Sequence, residues 1–139
     1  MVAMVGSRWT VVVSALFGCI CVGIGAMGSH SLPKQLADRG LSEIQIAKKL
    51  EQCETAVKYQ MYHSLACLAI GLSGTSLRKR GPLAACSLFF CGMLLFSGGL
   101  YSMVFFDYMG HWSIVPLGGV TLMCGWLTLA IAFVFDASR

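Results

Sequence analysis

The sequence has few charged residues. Asp, Glu, Lys and Arg make up 12% of its 139 residues, and hydrophobic residues make up 57%. An ordinary soluble domain carries about 25% charged residues. A mean hydropathy of +0.76 would force a soluble fold to expose the kind of apolar patch that marks membrane contact. The composition therefore excludes an ordinary soluble domain and predicts one membrane domain over residues 1–139.

Two other features are missing. The ten Lys and Arg residues are divided among short polar segments, so they form no basic face with interleaved aromatics and nucleic acid is not an expected partner. The seven cysteines are an odd number, and most lie in apolar stretches, where cysteine behaves as a small hydrophobic residue. The sequence therefore implies no disulfide framework.

Four apolar segments approach the roughly 20 residues that a helix needs to cross about 30 Å of hydrocarbon. They cover about residues 9–27, 56–72, 83–106 and 114–135. The second is the shortest and least apolar, because Lys58, Gln60 and His63 lie in its first half. Lipid offers no partners to backbone polar groups and the segments lack the alternation of barrel strands, so helices are expected. The predicted fold is an all-α, multi-pass bundle of about four transmembrane helices.

The first segment has an alternative interpretation as a cleaved signal peptide. Arg8 precedes its apolar run, and small residues (Gly25, Ala26 and Gly28) follow near its end. The run over residues 9–27 is longer than the usual apolar region of about 7–15 residues, which favours a retained span.

The segment from Ser29 to Cys53 is the one sizeable polar stretch, with Pro33 near its start. Its apolar residues recur every three to five positions, which predicts an interfacial amphipathic helix from about Ser42, with Ser42 as its cap. A solvated loop is the alternative.

Four spans would place both termini on one side of the membrane. Lys and Arg are equally divided, five on each side, with Arg8, Arg78, Lys79, Arg80 and Arg139 on the side of the termini. The cluster at residues 78–80 adjoins two spans directly, so the positive-inside rule favours cytoplasmic termini. We expect a cell-membrane protein, in the plasma or inner membrane of a bacterium.

The half of the bundle away from the termini is predicted to hold a cluster of polar residues. The candidate pocket consists of His30, Glu54, Lys58, Tyr59, Gln60, His63 and Tyr101. Ionisable groups at membrane depth are functional candidates, and His63 lies roughly 12 Å inside the start of its helix. A neutral imidazole hydrogen-bonded between helices explains His63 equally well. Glu54 and Lys58 are four residues apart, which favours an ion pair on the helix surface.

Glycines are the predicted helix-packing residues, because small side chains let helices approach closely in lipid. The candidates are Gly25, Gly28, Gly98, Gly99, Gly118 and Gly119. Gly23, Gly25 and Gly28 also match the letters of the dinucleotide-binding fingerprint. That motif requires a preceding strand, so we interpret these glycines as packing residues.

No catalytic or metal-binding pattern is apparent. His30, His63 and either His111 or Cys53 are the conceivable metal ligands, but no C-x-x-C or H-x-x-x-H spacing is present. Ser64 and Ser97 lack a nucleophile context. We therefore expect no metal, no cofactor and no enzymatic activity, although an enzyme that uses His30 and His63 stays an open alternative.

Four stretches resemble the YgdD-like family of small membrane proteins, a family of unknown function that includes the transmembrane protein 256 group. They are Gly25-Ala26-Met27-Gly28-Ser29-His30, the run from Glu54 to Leu65, Leu95 to Tyr101, and Pro116 to Trp126. Ser29 stands where the family has Ala, and the segment from His30 to Glu54 is longer than usual. The resemblance implies a multi-pass membrane location and supplies no mechanism.

Two functional hypotheses follow. The first is a non-enzymatic structural or interaction subunit, embedded in the lipid bilayer, whose partner is a second copy or another membrane protein. The alternative is an oligomeric transporter or channel for a small solute or protons, lined by Tyr59, His63 and Tyr101.

Overall fold

The computed structural model of the protein describes residues 2–73, 80–108, 110 and 112–136, and the side chains within them except at residues 2–7, 80 and 136. These residues form five helices: α1 (Val2–His30), α2 (Leu32–Asp38), α3 (Glu43–Leu72), α4 (Arg80–Phe105) and α5 (Ile114–Asp136). None of the described residues forms a strand. The predicted all-α fold is confirmed.

Among the described residues, three helices are long and apolar enough to cross a membrane: Arg8–His30 in α1, Gly81–Phe105 in α4 and Ile114–Phe135 in α5. They match the first, third and fourth predicted spans. The second predicted span falls within α3 and is not among them, because Lys58, Gln60 and His63 lower the hydropathy of this helix. A membrane bundle is therefore established, whereas the fourth crossing stays a prediction.

α3 begins where the polar segment predicted a helix. The Ser42 side chain accepts a hydrogen bond from the Gln45 backbone N–H, and the Gln45 side chain accepts one from the Ser42 N–H, which completes a capping box. The loop alternative for this region is therefore wrong. The helix then runs unbroken for 30 residues, about 45 Å, so the amphipathic segment and the second predicted span form one element.

Successive long helices run antiparallel, as their contacts show. Along α3, Gln60 reaches Phe17 of α1 and Cys53 lies beside Gly28, so residue numbers rise along one helix and fall along the other. The same holds between α3 and α4, where Ala56 meets Ser97 and Ser64 meets Met93. Residues 53–72 of α3 therefore lie alongside the apolar parts of α1 and α4, as a fourth span would.

This arrangement also determines which helix ends lie together. Gly125 of α5 packs against Phe89 of α4, and Gly81 packs against Ala132, so α5 runs antiparallel to α4. The starts of α1 and α4 and the ends of α3 and α5 consequently share one end of the bundle, which we call the terminal end. The loop end, opposite, carries α2 and the start of α3.

The helices pack in the order α1, α3, α4, α5, with α2 against α1 and α3. Two aromatic contacts reach across this row: Phe17 with Phe90 and His63 with Trp126. The apolar core has two parts. The larger one lies towards the terminal end and consists of Cys67, Ile70, Ala85, Cys86, Phe89, Met93 and Leu122.

The smaller core lies at the loop end, beneath α2. Leu32 and Leu36, one helical turn apart, are fully buried and pack with Cys53 and Val104. Pro33 sits in the first turn of α2, where its missing N–H costs no helical hydrogen bond. The sequence did not predict α2, because seven residues are too few to display a helical period.

Three of the six candidate packing glycines lie at close helix contacts. A Cβ atom at Gly28 would lie 3.3 Å from Cys53 Sγ, one at Gly99 would lie 2.8 Å from Val115, and one at Gly118 would collide with the Phe96 backbone. Gly25 and Gly119 make ordinary contacts. Gly98 makes no close contact with another described helix, because a Cβ atom there would meet nothing within 4 Å. Its neighbour Gly99 faces α5, and one residue turns the helix by about 100°. Packing at Gly98 therefore stays a prediction.

Close-packed glycines also occur where sequence reasoning did not select them. A Cβ atom at Gly92 would lie 2.5 Å from Leu122, one at Gly125 would lie 2.6 Å from Phe89, and one at Gly81 would collide with Ala132. All three lie between α4 and α5. This pair of helices therefore depends on small residues along most of its length.

Candidate functional site

His63 lies in the middle of the bundle and is 5% exposed. Its Nδ1 atom is 2.6 Å from the Tyr59 backbone carbonyl oxygen, and its Nε2 atom is 3.1 Å from the indole nitrogen of Trp126. A carbonyl oxygen can only accept and an indole N–H can only donate. The two partners therefore assign the proton to Nδ1, and the imidazole is neutral with both nitrogens engaged.

Aromatic rings surround this imidazole. The ring centroids of Tyr59, Phe89 and Trp126 lie 6.2, 5.3 and 6.0 Å from that of His63. Phe89 and Trp126 also pack edge-to-face at 5.0 Å. His63 thus joins α3 to α5 through a hydrogen bond within an apolar cluster. Any proton transfer or metal binding by this residue would first have to break one of its two hydrogen bonds.

Other buried polar groups also connect helices. The Gln60 side-chain amide donates to the Phe17 carbonyl oxygen at 2.8 Å, and the Ser97 hydroxyl donates to the Ala56 carbonyl oxygen at 2.9 Å. The Cys21 thiol donates to the Val57 carbonyl oxygen at 2.9 Å. These bonds link α3 to α1 and to α4. Sequence reasoning missed Ser97 and Cys21 in this role, since small residues in apolar spans give only a general packing signal.

Tyr101 differs from these groups. Its hydroxyl is buried, and among the residues that the structure describes it is the one buried side-chain oxygen or nitrogen without a hydrogen-bond partner. Its electrostatic neighbours include the thiols of Cys21 and Cys53. The contact of Ser97 with Ala56 places Tyr101, one turn further along α4, level with Cys53. Ten residues of α3, roughly 15 Å, separate that level from His63.

The seven candidate pocket residues therefore do not share one cavity. His63 and Gln60 are buried in the middle of the bundle, and Tyr59 lies half exposed beside them. Tyr101 lies nearer the loop end, and His30 is exposed at the end of α1. His111 lies outside the described residues, so its predicted place near the others is untested.

Glu54 and Lys58 form the ion pair that their spacing predicts. The Lys58 ammonium is 2.6 Å from the Glu54 carboxylate, and both side chains are more than half exposed. They border a groove of about 510 Å³ between α1, α2 and α3. Two candidate packing residues, Gly25 and Gly28, also line this groove. This groove therefore combines residues from the predicted polar pocket and from the predicted packing set.

A second polar cluster lies at the loop end. The Lys49 ammonium donates to the Asp107 carboxylate at 2.5 Å and to the Met103 carbonyl oxygen at 2.7 Å. The Arg39 guanidinium donates to the Phe105 carbonyl oxygen at 3.2 Å and lies 3.8 Å from the Asp107 carboxylate. Both cations therefore bind the free carbonyls at the carboxyl end of α4, where the helix dipole favours positive charge.

Asp107 is held in this cluster by charge and by its backbone. The hydrogen bond from Lys49, then the positive charges of Lys49 and Arg39, hold the pKa of the Asp107 carboxyl below its usual value of 3.8. Asp107 has φ of +54°, a left-handed conformation that Asp tolerates better than most residues. This cluster was not predicted, because its members lie in three separate segments of the chain.

No group of three His, Cys, Asp or Glu side chains among the described residues is placed to hold a metal ion. The expectation that the protein uses no metal or cofactor stays a prediction.

Comparison with known proteins establishes the family. Residues 24–119 match the model described as "Protein of unknown function (DUF423)". A UPF0382 membrane protein of Haemophilus influenzae is 39% identical over 116 residues, which cover 84% of this chain and 86% of the relative. No solved structure is significantly similar.

Two further relatives show how widely the similarity extends. The UPF0382 membrane protein YwdK of Bacillus subtilis is 30% identical over 125 residues, 89% of this chain and 94% of the relative. A UPF0382 membrane protein of Schizosaccharomyces pombe is 35% identical over 127 residues, 86% of this chain and 96% of the relative. These matches agree with the resemblance found in the sequence. The chain belongs to the DUF423 family of UPF0382 membrane proteins.

Proposed function

We propose that this protein is a non-enzymatic structural subunit of a membrane, which binds a second copy of itself or another membrane protein through the outer faces of α1 and α5. The observation that carries this proposal is that the buried polar side chains connect the helices to one another. Gln60, His63 and Ser97 each hydrogen-bond to a neighbouring helix. Groups engaged in this way stabilise a bundle and are poorly placed to bind a substrate or relay protons.

The packing of the helices indicates which surfaces a partner would contact. α1 and α5 lie at the two ends of the row of helices. In the most apolar 18 residues of each helix, only 11% of the residues in α1 and 17% in α5 are buried, against 39% in α4. Large apolar side chains such as Leu117, Val120, Met123 and Leu127 cover the exposed face of α5. Lipid can cover such a face as well as protein can, so the test has to detect a protein neighbour.

Photo-crosslinking in the native membrane provides this test. A photoreactive amino acid at Met123, on the outer face of α5, is expected to give a discrete adduct of higher mass. Leu65 of α3 is the matched control, because the two side chains are similarly exposed, at 59% and 53%, while α3 lies inside the row. Adducts absent at Met123 and at Ile20 of α1, together with a monomer in several mild detergents, would contradict the proposal.

Transport by an oligomer is the alternative function, and the buried, unpartnered hydroxyl of Tyr101 is the observation in its favour. His63 supports it less, because both imidazole nitrogens are already hydrogen-bonded.

For the location, we propose the cell membrane of a bacterium, with both termini in the cytoplasm. Its support is the basic cluster of Arg78, Lys79 and Arg80 in the sequence, of which Arg80 begins α4 at the terminal end. Arg78, Lys79 and Arg139 lie outside the described residues.

A further inference from the structure

The groove between α1 and α3 is open because α1 contributes glycines to it. Gly25 and Gly28 face Val57 and Cys53, and Cβ atoms at these glycines would lie 3.5 and 3.3 Å from those side chains. Any larger residue on this face of α1 would therefore project into the groove or press against α3. The volume of about 510 Å³ falls within the range of roughly 300–1,000 Å³ that is usual for small-molecule sites.

The groove has an apolar floor and a charged rim. Gly25, Gly28, Cys53 and Val57 form much of the floor. The rim carries the Glu54–Lys58 pair, in which a carboxylate and an ammonium lie 2.6 Å apart. A ligand that fits both parts must be apolar along most of its length and must carry a positive and a negative group close together at one end.

The depth of the rim agrees with a lipid headgroup. Cys53 lies beside Gly28, two residues before α1 ends at His30. Glu54 is therefore within about 5 Å of the end of an apolar span, and Lys58 is about 6 Å deeper. The bond to Glu54 directs the Lys58 ammonium towards the headgroup layer, as expected for a snorkelling lysine.

We propose that this groove binds one molecule of a zwitterionic phospholipid of the phosphatidylethanolamine type. The lipid ammonium bonds to the Glu54 carboxylate, the phosphate bonds to the Lys58 ammonium, and an acyl chain lies along Gly25 and Gly28. An anionic headgroup fits less well, because it places its charge near Glu54 without offering a cation. A quaternary ammonium lacks the N–H donors that a carboxylate accepts from.

The test is native mass spectrometry of the full-length protein in detergent with equal amounts of dioleoyl phosphatidylethanolamine and dioleoyl phosphatidylglycerol. One retained phosphatidylethanolamine is expected, with a preference of roughly tenfold over phosphatidylglycerol, since a charged hydrogen bond is involved. Glu54→Gln should remove the partner of the lipid ammonium and shift the preference towards phosphatidylglycerol. A merely structural role of Glu54 would not produce that shift.

Filling the groove gives the second arm. Gly25→Leu should abolish retention of the lipid, whereas Gly23→Leu on the same helix should leave it intact, because a Cβ atom at Gly23 meets nothing within 4 Å. Should Gly25→Leu fail to fold, Lys58→Met is the second variant, because it changes an exposed residue. It removes the partner of the lipid phosphate and should reduce retention of phosphatidylethanolamine by roughly tenfold. Equal retention of the two lipids by the native protein, or an unchanged preference in Glu54→Gln, would overturn the proposal.

Discussion

At the scale of single residues, the α4–α5 interface depends on the absence of side chains. A Cβ atom at Gly118 would collide with the backbone of Phe96 and lie 2.8 Å from its Cα atom. Backbone cannot move aside as a flexible side chain can, and overpacking typically costs about 1–3 kcal/mol. We expect Gly118→Ala to lower the free energy of unfolding by up to about 2 kcal/mol, once about 1 kcal/mol gained from helix propensity is subtracted.

Thermal unfolding in detergent, followed by circular dichroism, measures this effect. Gly98→Ala is the matched control, since Gly98 is also helical but faces open space. The control should be more stable than the native protein by about 0.5–1 kcal/mol, because only the propensity gain applies. If Gly118→Ala proved as stable as Gly98→Ala, the close approach of α4 and α5 at this position would be wrong.

Residue-scale predictions from sequence succeeded where the interaction is local. The Glu54–Lys58 pair follows from a spacing of four residues in one helix, and it forms. The bond between His63 and Trp126 joins positions far apart in the sequence, and nothing in the pattern of either segment indicates it. Gly98 shows the same limit, because a packing motif does not say which of two adjacent glycines faces the partner helix.

At the scale of elements, the Lys49–Asp107 bond ties α3 to the end of α4. The pKa of Asp107 is lowered in the folded state, so its contribution to stability is present above the usual value of 3.8 and is lost as pH falls through the folded value. Asp107→Asn should therefore lower the unfolding temperature at pH 7. The difference from the native protein should shrink as the pH falls below 3.8.

Melting curves at pH 7 and pH 3 would check this, with Asp38→Asn as control. Asp38 is an exposed carboxylate at the end of α2 and makes no ion pair with another described residue, so its replacement should have little effect at either pH. A constant difference between the native protein and Asp107→Asn at both pH values would show that the charge of Asp107 is not what stabilises this end of α4.

The elements themselves were predictable to different degrees. α1, α4 and α5 follow from their apolar length, and the start of α3 follows from the cap at Ser42. The continuity of α3 could not be foreseen, because a helix that begins among charges and ends among apolar residues displays two separate signals. Its polar middle is stable because Gln60 and His63 find partners on α1 and α5, which a single-helix pattern cannot reveal.

At the scale of the whole molecule, the antiparallel order of the four long helices brings the start of the first helix and the end of the last helix to the same end of the bundle. Val2 begins α1 and Asp136 ends α5 at the terminal end of the bundle. If α3 crosses the membrane beside its apolar neighbours, both termini face one compartment and α2 faces the other. If only the three apolar helices cross, the termini face opposite compartments. The number of crossings and the location of the termini are thus one question.

Reporter fusions answer it. A reporter active only in the cytoplasm, fused in turn to each terminus, should give the same signal at both ends, and the same reporter inserted at Gly40 should give the opposite one. Gly40 is exposed between α2 and α3, and its Cβ position meets nothing within 4 Å, so the insertion should be tolerated. Opposite signals at the two termini would mean that α3 does not cross. The Glu54–Lys58 rim would then lose its depth in the headgroup layer, and the phospholipid site would lose the argument that places it there.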